Sequence, residues 1–299
     1  MVTIGLLGSD NSHADRFAEL LNLVEHPHYN AAADACVSAI WGEDAARTAQ
    51  VAAQNQIATI VDEPAAMLDI VDAVICVTRH GGLHLDLVRP FITAGIPTFI
   101  DKPLAVEPDD ARTIIALATQ FGAPFSSFST VQFSAAAQEF LATTQQLGVI
   151  RMGSYSGPAT RRNPYGGLLF YAIHSIELML AAQGPGVQWV QAMEGPGVDE
   201  HENGNVVATC AWADGQMGIL ELAVDAQYAF RATALGRSGN HSVTLDISDC
   251  YRQGLVQILA VLRGAPSPVA PVAMIEAIQI GAALELSLKE ERRVYLYEV

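Results

Sequence analysis

Up to about residue 125 the chain alternates short apolar runs with helical patterns, a rhythm that βαβ units built on a parallel sheet satisfy. Val2–Leu7 reads as a first strand and Val37–Trp41 as a second, followed by Ala58–Val61, Ala73–Val77 and Pro97–Ile100. Between them lies a helix capped by Ser12, with Phe17, Leu20, Leu21 and Val24 on one face. Further helices are expected over Glu43–Gln54, Glu63–Leu68, Leu83–Ala94 and Pro108–Phe121. Such short strands and brief connections suit a doubly wound sheet.

The pattern then changes. Val206, Ala208, Cys210 and Trp212 alternate along one face, Asp214-Gly215 turns the chain, and Leu220, Leu222 and Val224 alternate again, which reads as a hairpin. Val243, Leu245 and Ile247 mark another strand with one wet face. With helices at Gly166–Ala182 and Val272–Leu288 and a last strand at Arg293–Tyr297, this half is expected to be a mostly antiparallel sheet covered by helices. Gly122-Ala123-Pro124 suggests domains over 1–123 and 124–299.

Composition narrows the function. Hydrophobic residues make up 51% of the 299 and charged residues 16%, enough for a large core and far from a disordered composition. A net charge of −16 argues against a nucleic-acid surface, which needs clustered Lys and Arg. No run reaches the ~18 uninterrupted apolar residues of a membrane helix, so no membrane partner is expected. Met1-Val2-Thr3-Ile4-Gly5 is unlike a secretory leader, and the four scattered cysteines match no metal-ligand spacing, so a reducing cytoplasm and no metal are expected.

The turn after the first strand is where a dinucleotide pyrophosphate would rest, on N–H groups at a helix start. Here it reads Gly8-Ser9-Asp10-Asn11-Ser12-His13, which keeps one glycine of the G-x-G-x-x-G pattern. Asp10 brings a carboxylate toward an anion, while Asn11, Ser12 and His13 supply donors. The acidic ribose-binding position falls at Gly42, with Glu43 and Asp44 directly after it. Those carboxylates disfavour a 2′-phosphate and Arg47 partly offsets them, so the balance favours NAD over NADP.

Lysine occurs twice, at Lys102 and Lys289. Lys102 follows an apolar strand, in Asp101-Lys102-Pro103, at the carboxyl edge where open α/β sheets bind ligands. An ammonium there can donate to a substrate oxygen, and burial can lower its pKa toward acid/base work.

Several segments in order resemble the glucose–fructose oxidoreductase / inositol dehydrogenase / rhizopine catabolism (Gfo/Idh/MocA) family. They are Val71–Thr78, with Arg79-His80-Gly81-Gly82-Leu83-His84 in place of Pro-Asn-x-x-His; Ala94–Ala105, with Asp101-Lys102-Pro103 in place of Glu-Lys-Pro; and Gly166–Glu177, which carries His174. The resemblance spans essentially the whole chain. It implies a Rossmann-like first domain binding NAD or NADP through the Gly8–His13 loop, Glu43, Thr78, Arg79, His84, Asp101 and Lys102. It also implies a small-molecule substrate of the sugar or polyol class, and a homodimer or homotetramer formed through the second sheet. Lys102 is then expected on both the nicotinamide ribose and the substrate hydroxyl, with His174 as a general acid/base.

This chain departs from the family four residues before His174, where an aspartate is usual and Phe170 stands. Tyr171 lies beside that position. Arg161, in Arg161-Arg162-Asn163-Pro164-Tyr165, could hold a substrate anion, with Tyr165 nearby. Hydride transfer to or from a sugar, cyclitol or related hydroxy compound is the expected activity. Two alternatives stay open: elimination or isomerisation with a retained cofactor, and a ligand-binding or regulatory protein that has lost the dinucleotide.

Overall fold

The computed structural model describes residues 1–29 and 34–299. The chain forms two compact units. The first holds Met1–Ala105, Asp109–Phe128 and Tyr251–Val269; the second holds Val106–Pro108, Ser129–Cys250 and Ala270–Val299. The break expected after residue 123 comes after 128, because a strand at Phe125–Ser127 completes the first sheet. A helix from Cys250 to Leu262 then returns to the first unit, which no single cut of the sequence describes.

In the first unit six parallel strands run β1 (Val2–Leu7), β2 (Ala35–Trp41), β3 (Thr59–Ile60), β4 (Ala73–Cys76), β5 (Thr98–Ile100) and β6 (Phe125–Ser127). Their order across the sheet is β3-β2-β1-β4-β5-β6. All four side chains of β4 are buried, as expected of a strand covered on both faces. Helices α1 (Ser12–Asn22), α2 (Ala45–Gln54), α3 (His84–Thr93) and α4 (Pro108–Phe121) connect the strands. Segment 63–68, expected as a helix, is a single 3-10 turn, Pro64–Met67, with proline at its start.

Both ends of α1 differ from expectation. The cap is Asn11, whose side chain accepts the His13 N–H at 3.2 Å, so Ser12 is already helical. The helix stops at Asn22, whose amide bonds Val37 N and O and Asn55 O. Val24 therefore leaves the apolar face and is 69% exposed.

The second unit opens with α5 (Ala135–Thr144). Its seven strands follow as β7 (Ile150–Pro158), β8 (Val187–Gly197), β9 (Gly204–Trp212), β10 (Met217–Ala223), β11 (Phe230–Gly236), β12 (Gly239–Leu245) and β13 (Val294–Tyr295). They lie in the order β12-β11-β7-β10-β9-β8-β13, antiparallel except for the β7–β10 pair. The hairpin read from alternation is β9–β10, with Ala208 opposite Leu220. This hairpin buries Val206, Ala208, Cys210, Leu220 and Leu222, and the neighbouring strands β7 and β11 bury Tyr155 and Phe230. Helices α6 (Leu169–Gln183) and α8 (Pro271–Glu290) pack on this unit, α6 on β7 and α8 on β8 and α6. The remaining helix, α7 (Cys250–Leu262), is the one that returns to the first unit.

By length and composition α8 could cross a membrane, yet Met274, Ala277, Ile278, Ile280, Ala283 and Leu284 are buried within the unit. Glu276 on the same helix is 7% exposed and accepts from Gly186 N and Val187 N at 2.8 Å. It fixes the turn from α6 into β8. Removing this acceptor strands the buried Val187 N–H and frees the exposed Gly186 N–H, so Glu276→Ala is expected to cost roughly 1–3 kcal/mol. Urea unfolding followed by tryptophan fluorescence checks this, since Trp189 and Trp212 both lie in this unit. An unchanged midpoint would show that the turn holds without the carboxylate.

Candidate active site

In the first sheet the strand order reverses between β1 and β4, and ligands of open α/β sheets bind beyond the carboxyl ends of strands at such a point. The segments that leave those ends are Gly8–Asn11 from β1, Thr78 and Arg79 from β4, and Asp101 and Lys102 from β5. The sequence-selected residues Gly8, Ser9, Asp10, Asn11, Ser12, His13, Thr78, Arg79, Asp101 and Lys102 are thus gathered at one edge.

This edge fits a dinucleotide phosphate. Gly8 has φ +109°, and a Cβ there would lie 2.6 Å from Thr78 N, so the loop passes flush against the end of β4. The amino end of α1 follows directly, with the positive end of its dipole at the loop. The Asp10 carboxylate is turned onto the backbone that follows β4. It accepts the Arg79 N–H at 3.2 and 3.3 Å, and the Arg79 guanidinium donates to the Asp10 carbonyl oxygen at 2.5 Å.

His13, at the third glycine position, has its Nδ1 2.5 Å from Asp101 Oδ2, with its ring edge-on to Phe17 and Tyr251. The phosphate loop is thereby tied to the residue before Lys102. Asp101 is 1% exposed, and its other oxygen, Oδ1, has no hydrogen-bond partner among the described residues. Burial pushes this carboxyl up, but the charge and hydrogen bond of His13, helped by Lys102, outweigh it and hold the group below the usual aspartate range. Lys102 itself is 4% exposed.

His84 is fully buried, with Nδ1 3.1 Å from Leu104 O and Nε2 3.0 Å from Thr78 O. Desolvation lowers its pKa despite those two carbonyls. It clamps the loop after β4 to the segment after Lys102, and it presents no surface to a ligand.

At the end of β2, Gly42 leaves room for Ser9 and Thr48, whose hydroxyls meet at 2.8 Å; a Cβ at 42 would fall 2.2 Å from Ser9 Oγ. A carboxylate cannot stand there. Asp44 caps α2 through Arg47 N at 2.9 Å, and Glu43 is exposed beside it. The Arg47 guanidinium is committed to Ser9 O, Gln50 and the Asp15 carboxylate.

In the second unit, α6 carries His174, 6% exposed, its ring edge-on to Phe230 at 5.3 Å. Its Nδ1 lies 2.6 Å from Ser129 Oγ. Glu177, one turn along α6, accepts from Ser129 N at 2.6 Å and from Gln132 Nε2 at 2.9 Å. Phe170 fills the position of the missing aspartate by packing on Tyr165 and Tyr171, and Tyr171 in turn meets Tyr228. Sequence reasoning missed Ser129. Glu177 lay three residues beyond His174 and could have been singled out by that helical spacing.

Arg161, read as an anion site, is already paired. Its guanidinium donates to Glu194 at 2.7 Å and Glu285 at 3.0 Å, and Glu285 also accepts from Leu168 N. Its charge is used to anchor the loop that enters α6. Tyr165 sits in that loop, its N–H bonded to Asn163 Oδ1 at 2.8 Å. Among the described residues no group of three or more His, Cys, Asp or Glu side chains is placed to hold a metal.

Residues 5–128 match the Gfo/Idh/MocA family, an oxidoreductase family with an NAD-binding Rossmann fold. Comparison with curated protein sequences finds no match. Among solved structures, the chain is similar to a probable dehydrogenase from Thermotoga maritima, with 20% identity, a TM-score of 0.86 and full coverage of both chains. It is also similar to scyllo-inositol dehydrogenase from Lactobacillus casei with NAD(H) and scyllo-inositol bound, at 15% identity, TM-score 0.86 and 99% of each chain. A third is myo-inositol dehydrogenase from Lactobacillus casei with NAD(H) and myo-inositol, at 16% identity, TM-score 0.83, covering 99% of this chain and 96% of that one. At these identities the likeness speaks for the fold, a parallel Rossmann-like sheet plus a mostly antiparallel second sheet. The first unit thus matches the NAD-binding Rossmann domain of that oxidoreductase family over residues 5–128, and the whole chain shares the two-sheet fold of those solved structures.

The His13–Asp101 pair gives a pH signature. Because the folded Asp101 pKa lies below its ordinary value of 3.8, its stabilising contribution is complete above that value and lost as pH falls through the lower, folded one. Asp101→Asn is therefore expected to cost roughly 3 kcal/mol at neutral pH, in the range for breaking a buried pair, and progressively less in strong acid. Urea titrations of both proteins across pH measure the difference; a gap that does not narrow in acid contradicts the assignment.

Proposed function

We propose that the chain is an NAD-dependent oxidoreductase that moves a hydride to or from the CH–OH carbon of a sugar, cyclitol or related hydroxy compound. The observation that carries this reading is Lys102, buried at the carboxyl end of β5 beside the phosphate loop of an NAD-family Rossmann unit. The nicotinamide supplies the hydride acceptor or donor. Gly8–His13, Thr78 and Arg79 hold the dinucleotide, Lys102 serves the reacting C–O group, and His174 is the candidate acid/base of the second unit. The inositol dehydrogenases of similar fold support the polyol class.

Arg47 favours NAD over NADP. With its guanidinium committed to Asp15, Gln50 and Ser9 O, it is poorly placed to offset the carboxylates of Glu43 and Asp44 against a 2′-phosphate. NADH in hundredfold excess over its Kd is expected to stabilise the protein by about 2.7 kcal/mol, with NADPH binding at least about tenfold more weakly. Lys102→Ala should then lower kcat/KM on a polyol panel by about 10²–10⁴ while NADH still raises the Tm. If neither dinucleotide changes the Tm, the reading fails.

We also propose a homo-oligomer formed through the outer face of the second sheet, where Met152, Val207 and Leu235 are exposed. Light scattering of the purified protein is expected to give more than one chain per particle, and Val207→Asp to reduce that number. A monomer at micromolar concentration counts against it.

A further inference from the structure

We propose that His13 is a phosphate ligand of the bound dinucleotide: its Nε2 takes up a proton when the dinucleotide binds and donates to a pyrophosphate oxygen. A side chain thus replaces the close backbone approach that a glycine would give. The inference rests on the oxidoreductase reading above and adds to it the group that meets the cofactor's charge.

The loop lacks donors where a dinucleotide fold commonly offers them. Asp10 and His13 stand at the second and third glycine positions. The first-turn N–H groups of His13 and Ala14 are committed to Asn11, one to its side chain at 3.2 Å and the other to its carbonyl at 3.1 Å. The imidazole of His13 leaves the same turn. Its Nδ1 lies 2.5 Å from Asp101 Oδ2, and its ring is edge-on to Phe17 and Tyr251. Nε2 has no hydrogen-bond partner among the described residues, and the side chain keeps 12% of its surface in solvent.

Asp101 decides what that nitrogen can do. An ionised carboxylate only accepts, so Nδ1 carries a proton toward it. In the neutral ring Nε2 is then a bare lone pair, which a phosphate oxygen cannot approach as a partner. A second proton makes Nε2 a donor and sets the ring as a cation between two anions, the buried carboxylate and the phosphate. Asp101 is 1% exposed, and its Oδ1 has no hydrogen-bond partner among the described residues, so a full positive charge beside it is stabilising. The dipole of α1 opposes that charge, but it acts as about half a charge spread over the turn. The titratable groups that touch the ring are Asp101, after β5, and Tyr251, on α7. Of the others at this edge, Lys102 adjoins Asp101, Asp10 lies against Arg79, and Asp15 on α1 is paired with Arg47 on α2.

The consequence is a coupling between pH and affinity. The proton comes from solvent, at most one for each dinucleotide bound. Affinity is full where His13 is protonated before binding, and it falls by up to about tenfold per pH unit as pH rises beyond that. Restoring the glycine at position 13 completes one more element of the fingerprint, yet it removes the donor and weakens binding.

The test titrates the full-length protein with NAD by calorimetry from about pH 6 to about pH 9, in buffers of different ionisation enthalpy that count the protons taken up. Wild type is expected to bind at least about tenfold more tightly at the acid end and to take up protons on binding near pH 8. His13→Gly removes the side chain, while His13→Gln can still donate to Asp101 but cannot titrate. Both should bind NAD about tenfold more weakly than wild type near pH 6, the usual worth of a charge-assisted hydrogen bond, and neither should take up the proton. Thermal midpoints of the free variants check that each is folded, and His13→Gln carries the test if His13→Gly is not. NAD that binds His13→Gly as tightly as wild type, or wild type without proton uptake, overturns the inference alone. Weaker binding in both variants without proton uptake in wild type makes Nε2 an acceptor for a ribose hydroxyl, which also overturns the phosphate contact. A wild type that binds no dinucleotide at any pH sinks the oxidoreductase reading, and the role of His13 with it.

Discussion

The reversal of strand order between β1 and β4 governs the chemistry available to the first unit. The connections leave β1 toward β2 on one side and arrive at β4 and β5 on the other, so no crossover covers the carboxyl ends of these central strands. That opening brings the amino end of α1, the turn after β4 and the buried Asp101-Lys102 segment to one edge. Lys102 matters because of where it emerges. The same ammonium on a helix surface would be a solvated charge with little to act on.

The loop at that opening shows how a dinucleotide-type edge can lose glycines without losing its shape. Two glycine positions carry Asp10 and His13, and each side chain is absorbed by a partner far along the chain. Asp10 is tied to Arg79, and His13 to Asp101. At Gly42 the trade runs the other way, since a side chain there would displace the Ser9–Thr48 contact that draws the loop inward. The side chains that in the bare sequence threatened a bound anion are thus each engaged by a partner, and the amino end of α1 still lies directly after the loop.

This pairing explains what could and could not be read in advance. The two sheets were legible because continuous apolar runs and strict alternation are local properties, and Lys102 was legible because a strand end is visible in sequence. The cap at Asn11 was missed because Asn11 and Ser12 are both competent caps one residue apart, and the choice between them is made by where the strand ends. The pairing of Arg161 with Glu194 and Glu285, the contact of Asp10 with Arg79, and the return of α7 to the first unit all depend on residues tens to more than a hundred positions away. Ser129 has no local signature at all. It gains its role from standing where Glu177 and His174, on the same helix, can both reach it.

Replacing a carboxylate by a hydroxyl beside an imidazole changes more than its strength as a partner. A carboxylate can only accept, so it draws a proton onto the near nitrogen and leaves the far one as a base. A serine hydroxyl can donate or accept, so it does not impose that arrangement. In this chain Phe170 places no acceptor on that helix face, and the Nδ1 of His174 meets the Ser129 hydroxyl instead.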